Sequence, residues 1–142
     1  MAEHFGVYGW WRQDGRVVCV RKRRGPYTGQ LDLPGGSPEP GEDPDETLAR
    51  ELREECGVAL EARGPWSPFA LHVTRSSTGV PIDFHHRGLI AAVVVSNPAE
   101  AVVDLEDVAS VELLDTDDVD DVELSRLLRH ALDLDLRLDL RR

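Results

Sequence analysis

Apolar residues near the start of the chain fall into two short runs rich in aromatic and β-branched side chains, which is typical of β-strands. The runs HFGVYGWW and RVVCVRKR therefore predict two strands. Between them, Gln13-Asp14-Gly15 is typical of a hairpin turn, because Asp and Gly adopt the left-handed backbone that such turns need. A loop over residues 24–30 and a short strand, LDLP, are predicted to follow.

The strongest helix signal begins after GGSPEPGED, a stretch too rich in Gly and Pro for regular structure. Asp43 is the predicted N-cap, with Pro44 in the first turn and Glu46 completing a capping box. Gly57 is the expected end of the helix, because glycine readily takes the left-handed conformation that closes one. The buried face is predicted from apolar residues at every fourth position: Leu48, Leu52 and Cys56.

The rest of the chain carries mostly β-type patterns and ends in a helical one. Strands are predicted at VALEARG, at His72–Thr78 (with a turn), at 84–96 and at ASVELLD. The apolar run within 84–96 is unbroken, which indicates a central strand buried on both faces. Residues 97–107 are predicted as an acidic loop and residues 121–134 as an amphipathic helix. This order of elements predicts an α/β fold with layers around a mixed sheet.

The composition and charge of the chain indicate which classes of binding partner are not expected. The chain has 142 residues, a formal charge of −11 and a pI of about 4.8, so binding to nucleic acid or to an anionic membrane is not expected. The longest apolar run, Leu89–Val95, is too short to cross a membrane, and the first residues lack a secretory-signal pattern. Cys19 and Cys56 form no CxxC pair and are expected to be buried thiols. We expect a single domain over residues 1–142, located in the cytoplasm.

Three carboxylates share one side of the predicted helix in the stretch RELREECGV. Glu51, Glu54 and Glu55 have i,i+3 and i,i+4 spacing, so their side chains are neighbours beside the apolar stripe. Like charges at this spacing destabilise a helix by roughly 0.2–0.5 kcal/mol per pair. A divalent cation would offset the repulsion, and Mg²⁺ and Mn²⁺ prefer such oxygen ligands. For the spacing alone, a solvated acidic helix face is the alternative.

The three carboxylates belong to a longer pattern that begins at Gly36. Residues 36–58 match G-x5-E-x7-R-E-U-x-E-E-x-G-U at every defined position, where U is an aliphatic residue. At ordinary amino-acid frequencies a chance match is on the order of 10⁻⁸. This pattern is the Nudix box, and the preceding Leu33-Pro34-Gly35-Gly36 also resembles the usual lead-in of the Nudix hydrolase family.

The resemblance implies a Nudix fold, an α/β/α sandwich with a central mixed β-sheet. It also implies a pyrophosphohydrolase that uses Mg²⁺ (or Mn²⁺) and water to cleave the diphosphate of a nucleoside diphosphate linked to another moiety X. The implied metal ligands are Gly36 (through its carbonyl), Glu51, Glu54 and Glu55, and the implied catalytic residues are Glu54, Glu51, Glu55 and Arg50. Glu54 is the residue expected to take a proton from water, and Arg50 lies one helical turn away and can orient it. Glu42 is expected to have a supporting role.

Basic side chains near the box are candidates for binding the substrate's phosphates. Arg21-Lys22-Arg23-Arg24 is the one dense basic cluster in this acidic sequence. Arg23 or Arg24 is expected to contact the phosphates, and the alternative is a solvated strand end that offsets acidic neighbours. Gly35 is expected to let the backbone approach the substrate closely.

Aromatic and acidic residues outside the box give weaker signals. Three aromatic residues are candidates for stacking on a base: Tyr27, Trp10 and Trp11. The alternative is that they are ordinary core or half-buried strand residues. The adjacent pair His85-His86 should split across the two faces of a strand and so cannot easily share one metal ion. Glu106, in the acidic loop, is the candidate for an extra base or metal ligand, since many members of the family supply an acid from this region.

The runner-up function is a catalytically silent nucleotide-binding or sensing module with the same fold, and a simple acidic ion binder is a weaker alternative. The intact box favours the enzyme. Subfamilies acting on ADP-ribose tend to carry a proline beyond the box, and those acting on dinucleoside polyphosphates a tyrosine. The corresponding region, Leu71–Arg75, has neither, so nucleoside triphosphates, ADP-ribose and similar substrates remain open. The resemblance also allows a homodimer, to which the leucine-rich tail LDLDLRLDLRR (a continued helix or an edge strand) could contribute.

Overall fold

The structure is a computed structural model that describes residues 2–100, 105–120, 123–134 and 136. Its strands are β1 (Ala2–Trp10), β2 (Arg12–Gln13), β3 (Arg16–Lys22), β4 (Leu31–Asp32), β5 (Gly35–Gly36), β6 (Leu60–Arg63), β7 (Ser67–Arg75), β8 (Pro81–Val95) and β9 (Val108–Leu114). Its helices are α1 (Pro44–Cys56) and α2 (Arg126–Leu132). In the part of the chain that is described, no helix has the length and apolar character needed to cross a membrane.

The longest strand, β8, is the centre of the larger sheet, as its unbroken apolar run predicts. One edge of β8 pairs with β1 in parallel, from Ala2 opposite Phe84 to Trp10 opposite Ala92. Its other edge pairs in antiparallel fashion with β7 and then with β6. Strand β5 lies on the far side of β1, also antiparallel. Parallel and antiparallel pairings therefore coexist, and the expected mixed sheet is confirmed.

The predicted hairpin is present but shorter than expected. Asp14 and Gly15 have φ of 53° and 79°, and the turn joins β2 to β3 with Gln13 opposite Arg16. The prediction that the first long strand pairs with β3 is wrong, because β1 pairs with β8 and β5 instead. The chain leaves β1 before the hairpin begins, and β3 joins a second sheet with β2, β4 and β9. A local turn signal does not reveal this long-range parallel pairing.

Two apolar clusters lie on opposite faces of the strands, each covered by one helix. On one face, Val7 and Val18 pack with the α1 stripe that the sequence predicts: Leu48, Leu52 and Cys56. On the other face, their chain neighbours Tyr8 and Val17 belong to the cluster that contains Leu127 of α2. The expected α/β/α layering is confirmed. Cys19 and Cys56 are both buried and free, also as predicted.

Helix α1 has the ends that the sequence predicts. The side chain of Asp43 accepts a hydrogen bond from the backbone N–H of Glu46 over 2.8 Å, and the Glu46 side chain accepts one from the N–H of Asp43 over 3.0 Å. This reciprocal capping box satisfies two N–H groups that the helix itself leaves unpaired. Gly57, with φ of 68°, ends the helix in the left-handed conformation. The two ends together set the bounds of α1, on which Glu51, Glu54 and Glu55 lie.

Helix α2 begins later than the predicted residue 121. It begins at Arg126, because the side chain of Ser125 accepts a hydrogen bond from the N–H of Leu128 over 2.9 Å and forms the N-cap. Just before it, Leu124 forms an isolated parallel bridge with Leu31 instead of helix. Residues 121 and 122 lie outside the described residues. Most of the tail LDLDLRLDLRR also lies outside the described residues, so the choice between a continued helix and an edge strand stays open.

Candidate active site

The glycine pair before α1 is fixed to the larger sheet. Gly35 and Gly36 form β5 and pair with Tyr8 and Val7. A side chain at Gly35 would collide with the β1 backbone, and one at Gly36 would collide with the carboxylate of Glu51. The short strand was not predicted in the Gly- and Pro-rich stretch, but it brings the first residue of the box against one of the helix carboxylates.

Of the three carboxylates on α1, two are largely shielded from solvent. Glu55 is 7% exposed, and its Oε1 accepts a hydrogen bond from the N–H of Gly35 over 2.9 Å. Burial raises the pKa of Glu55 to about 8, and the charge of Glu51 adds to this rise. The side chain of Glu51 is 15% exposed, and burial raises its pKa as well. The side chain of Glu54 is 50% exposed. A cation near Glu51 and Glu55 would favour their ionised forms.

Arg50 links the members of the box. Its Nε and Nη2 donate to Oε2 and Oε1 of Glu42 over 2.7 and 3.0 Å, a bidentate pair. Its Nη1 donates to Glu54 over 3.1 Å and to Glu51 over 3.3 Å. The hydrogen bond from Arg50 lowers the pKa of Glu42 to about 2. The expected contact between Arg50 and Glu54 is therefore present, and Glu42 holds the guanidinium that makes it.

A cavity of about 290 Å³ opens next to the box. Its walls include the rings of His4, Tyr8, Tyr27, Phe84 and His86 and the charged side chains of Lys22, Arg24, Asp32 and Asp107. The hydroxyl of Ser37, a residue of the box, lies 3.3 Å from the ring nitrogens of His4. The carbonyl of Ser37 accepts a hydrogen bond from Arg50 over 3.0 Å. Ser37 therefore connects the box to His4 of the cavity wall.

A buried histidine organises the aromatic wall of the cavity. Nε2 of His86 lies 2.8 Å from the hydroxyl of Tyr8, and its Nδ1 lies 2.8 Å from the hydroxyl of Tyr27. Burial lowers the pKa of His86 to about 3, so the ring is neutral. A neutral imidazole has one donor and one acceptor nitrogen, so one tyrosine donates to His86 and the other accepts from it. The three rings are thereby held in fixed orientations.

Lys22 and Asp32 add opposite charges to the cavity wall. Asp32 is 3% exposed, and its Oδ1 accepts a hydrogen bond from Ser125 Oγ over 2.7 Å. Burial raises the pKa of Asp32, against the opposing charge of Lys22. The charge of Lys22 also acts to lower the pKa of Glu51 and of Glu55. Lys22 therefore acts electrostatically on both the cavity and the box, a position suited to the phosphates of a substrate that spans the two.

The first arginine of the basic cluster and Arg23 have partners within the protein. Arg21 makes a bidentate pair with Glu112, with distances of 2.8 and 2.7 Å, across β3 and β9. Nη1 of Arg23 donates to the carbonyl of Leu105 over 3.0 Å. The side chain that lines the cavity at this end of β3 is Lys22, which lies between them in sequence.

The two remaining charged candidates meet each other. Arg24 lines the cavity and pairs with Asp107 and, over 3.3 Å, with Glu106. Glu106 itself is exposed, and its pairing partner is this arginine. Arg24 thus lines the cavity, whereas Glu106 is not among the lining residues and contacts one of them, Arg24.

The aromatic candidates divide between the cavity and the core. Tyr27 is 5% exposed and contributes to the cavity wall. Trp10 and Trp11 pack into different clusters on opposite faces, as adjacent strand residues should. The pair His85-His86 splits in the same way, because His86 is buried in the wall of the cavity and His85 is half-exposed.

Several cavity residues have only a weak signal in the sequence. Asp32 was readable in principle, because a carboxylate between two leucines of a short buried strand needs a special reason to be there. Lys22 lay within the basic cluster but was not distinguished from the arginines. His4 and His86 carry no local signal at all, because strands 78 residues apart in sequence bring Tyr8 and His86 together.

Comparison with known proteins decides the family. A model of the NUDIX domain matches residues 2–133. The chain belongs to the NUDIX domain family. Members of this family generally use divalent metal ions. The resemblance carried by residues 36–58 is thus confirmed over nearly the whole chain.

Two curated relatives are similar over shorter stretches. A nucleoside triphosphatase NudI from Enterobacter sp. (strain 638) is 52% identical over 54 residues, which cover 36% of this chain and 38% of that protein. An ADP-ribose pyrophosphatase from Methanocaldococcus jannaschii is 35% identical over 46 residues, which cover 32% of this chain and 27% of that protein. The matched parts therefore span less than half the length of either relative.

Solved structures agree with the fold over most of the chain. A MutT NUDIX hydrolase from Burkholderia pseudomallei superimposes with a TM-score of 0.75 at 22% identity and covers 94% of this chain and 98% of that one. A MutT protein from Methanosarcina mazei Go1 gives a TM-score of 0.67 at 18% identity and covers 91% and 89% of the two chains. At this level of identity the likeness establishes the Nudix fold.

Proposed function

We propose that this protein is a divalent-metal-dependent Nudix hydrolase that cleaves the diphosphate of a nucleoside diphosphate linked to another moiety. The observation that carries the proposal is the buried carboxyl group of Glu55 next to the half-buried Glu51 within a complete box. Burial raises the pKa of Glu55 to about 8, and few structural roles would favour a carboxyl group there. A metal and phosphate site does explain it.

The residues of the box fit a hard divalent cation such as Mg²⁺ or Mn²⁺. Glu51, Glu54 and Glu55 offer carboxylate oxygens, and Gly36, which packs against the Glu51 carboxylate, offers its carbonyl. Gly35 already orients Glu55 through its N–H, so this carboxylate is positioned before any ion arrives. When bound, such an ion would neutralise phosphate charge and lower the pKa of a bound water.

The protein's own side chains then position water and substrate. Glu54 is the proposed proton acceptor, because it is the most exposed of the three carboxylates and Arg50 fixes its orientation. Glu51 and Glu55 are proposed as the more permanent ligands, since both are withdrawn from solvent. Lys22 and Arg24 are proposed to bind phosphate oxygens at the cavity wall. Arg23 stays a candidate from the sequence alone.

The cavity is proposed to hold the nucleoside. Tyr27, Phe84 and His86 offer an aromatic surface for a base, and Asp32 offers an acceptor for a base amino group. Nucleoside triphosphates are the first substrates to test, because the relative with 52% identity is named as a nucleoside triphosphatase. ADP-ribose is the second substrate to test, because the other relative is named as an ADP-ribose pyrophosphatase.

A substrate panel with purified protein tests this proposal. Canonical and oxidised nucleoside triphosphates, ADP-ribose, nucleotide sugars and dinucleoside polyphosphates would be incubated with Mg²⁺ or Mn²⁺, and release of phosphate, pyrophosphate or monophosphate followed. Glu55→Gln should lower turnover by several orders of magnitude with the fold intact, whereas Glu61→Gln, the same change on an exposed part of β6, should not. Turnover that is unaffected by Glu55→Gln would remove Glu55 from the site.

A catalytically silent binding or sensing module is the second candidate. The observation that favours it is the ordered aromatic wall of the cavity, since His86 and its two tyrosines form a binding surface without any need for chemistry. Nucleotides would then raise the melting temperature of the protein without being consumed. Metal-dependent turnover of any nucleotide in the panel would decide for the enzyme.

A further inference from the structure

Three side chains with metal-binding chemistry meet on the β7–β8 hairpin. His72 and His85 are directly opposite each other in the antiparallel register. Their rings stack, with centroids 4.3 Å apart and planes 9° from parallel. Asp83 lies two residues before His85 on the same strand and therefore on the same face. These three residues are referred to below as the outer-face cluster.

The polar atoms of the outer-face cluster converge. Nε2 of His72 lies 2.7 Å from Oδ1 of Asp83, and Nε2 of His85 lies 3.2 Å from the same oxygen. The three candidate ligand atoms all lie within 4.8 Å of one another. Two ligands of a tetrahedral metal with bonds of about 2.0–2.2 Å are roughly 3.3 Å apart. Small side-chain movements would therefore bring these atoms to coordination distance.

The outer-face cluster is separate from the box and from the cavity. Along β7, Leu71 and Val73 are buried in the core while His72 between them is exposed. Along β8, His86 is buried in the cavity wall, so its neighbour His85 points to the opposite face. Because both strands alternate, the cluster lies on the solvent side of the hairpin, open to an ion from solution.

We propose that His72, Asp83 and His85 bind one first-row transition-metal ion, with Zn²⁺ as the reference ion and the fourth position left to water. Two imidazole nitrogens and one carboxylate oxygen are ligands that suit Zn²⁺, Ni²⁺ or Co²⁺. Mg²⁺, which prefers oxygen ligands and retains its waters, is a poor match for the same set. The site therefore selects a different class of ion from the one proposed for the box, and it stands whether or not the enzyme proposal does.

Such an ion would join β7 to β8. Its ligands come from both strands, close to the turn in which Ser76 N–H donates to the carbonyl of Val80 over 2.9 Å. An ion that binds the folded hairpin and not the unfolded chain raises the stability of the fold. Zinc should therefore raise the melting temperature, and the rise should depend on the two histidines.

The test is a zinc titration of the full chain, freed of any affinity tag and treated with a chelator, by isothermal calorimetry in the presence of excess Mg²⁺. We expect one zinc ion per chain. His72→Gln and His85→Gln should each weaken binding by more than about tenfold, since loss of even an outer partner of a metal ligand costs 10–100-fold. Neither variant should keep the zinc-dependent rise in melting temperature.

Two further variants separate this site from other sources of zinc binding. His130→Gln removes a histidine of α2 that is outside the cluster, and it should leave zinc binding unchanged. Glu55→Gln alters the box and should also leave it unchanged. The proposal is overturned if the wild-type protein binds no zinc, or if zinc binding persists in both His72→Gln and His85→Gln. Loss in Glu55→Gln alone would assign the ion to the box and overturn it too.

Discussion

Arg50 and Glu42 form a bidentate ion pair, with Nε to Oε2 at 2.7 Å and Nη2 to Oε1 at 3.0 Å. Glu42 is held in turn by the hydroxyl of Thr47, which donates to its Oε1 over 3.0 Å, and by the backbone N–H of Glu39 over 2.8 Å. The loop before α1 therefore fixes the guanidinium that contacts Glu54. Glu42 therefore supports Glu54 indirectly, through Arg50.

Glu42→Gln should lower kcat by about 10–100-fold, the usual cost of removing a group that orients a metal ligand or catalytic residue. The amide keeps only one acceptor oxygen and carries no charge, so the bidentate pair is lost and Arg50 would be free to shift away from Glu54. The measurement is steady-state kinetics at several Mg²⁺ concentrations on the best substrate of the panel. Activity in Glu42→Gln close to that of Glu61→Gln would mean that Arg50 needs no such support.

Gly36→Ala and Gly35→Ala should fail in different ways. A Cβ at Gly36 meets the carboxylate of Glu51, the end of a flexible side chain, so the fold should persist while activity falls by more than about tenfold. A Cβ at Gly35 meets the backbone of β1, which cannot move aside, so the free energy of unfolding should fall by about 2 kcal/mol or more. Urea unfolding and steady-state kinetics of both variants test these two predictions. Equal destabilisation of the two would contradict this assignment of the contacts.

Lys22→Gln should raise KM by about tenfold or more for every phosphorylated substrate, because it removes a charged contact worth roughly 1.5–3 kcal/mol. Arg23→Gln is the matched comparison one residue away, on a side chain that donates to the carbonyl of Leu105. The measurement is KM for both variants on the same substrates. A large effect of Arg23→Gln with none from Lys22→Gln would favour the assignment made from the sequence.

Asp32 should make the stability of the protein depend on pH. Burial raises its pKa in the folded state above the value of about 3.9 in the unfolded chain. Between the two pKa values the folded state binds more protons than the unfolded state, so the free energy of unfolding falls as pH rises. The contribution is fully present below the unfolded pKa and is lost as pH passes through the folded pKa.

Asp32→Asn isolates that dependence. The difference in unfolding free energy between Asp32→Asn and the wild-type protein should shift in favour of the variant as pH rises from about 4. Any cost of the amide against Ser125 does not depend on pH and leaves the slope unchanged. Urea unfolding of both proteins across the acid-to-neutral range, with a chelator present, provides the comparison. Parallel curves would show that folding does not raise the pKa of Asp32.

The parts of the fold that sequence predicts well are local. The capping box of Asp43 and Glu46, the leucine stripe and the stop at Gly57 all depend on residues within one helix. The same holds for the spacing of Glu51 and Glu55, which sets their relation on α1 before any tertiary structure is known. Such features need no knowledge of which strands pair.

The cavity, by contrast, depends on pairings that no short stretch encodes. His86 contacts Tyr8 because β1 and β8, which are far apart in sequence, pair in parallel. The hairpin signal at Asp14 instead favours β3 as the partner of β1. The start of α2 was missed for a related reason. Leu124 bridges to Leu31 instead of forming part of the helix, and this tertiary pairing has no signal in the local sequence.

Glu51, Glu54 and Glu55 lie on α1, whereas the cavity walls come from β1, β3, β4, β8 and the segments after β3 and just before β9. In the arrangement proposed above, substitutions such as those at Tyr27 or Phe84 would change which nucleoside the cavity accommodates without altering Glu51 or Glu55. For protein engineering, this makes the cavity wall the place to build libraries while the box is held constant. It is also a physical reason why one set of glutamates can be inherited by enzymes whose preferred nucleotides diverge.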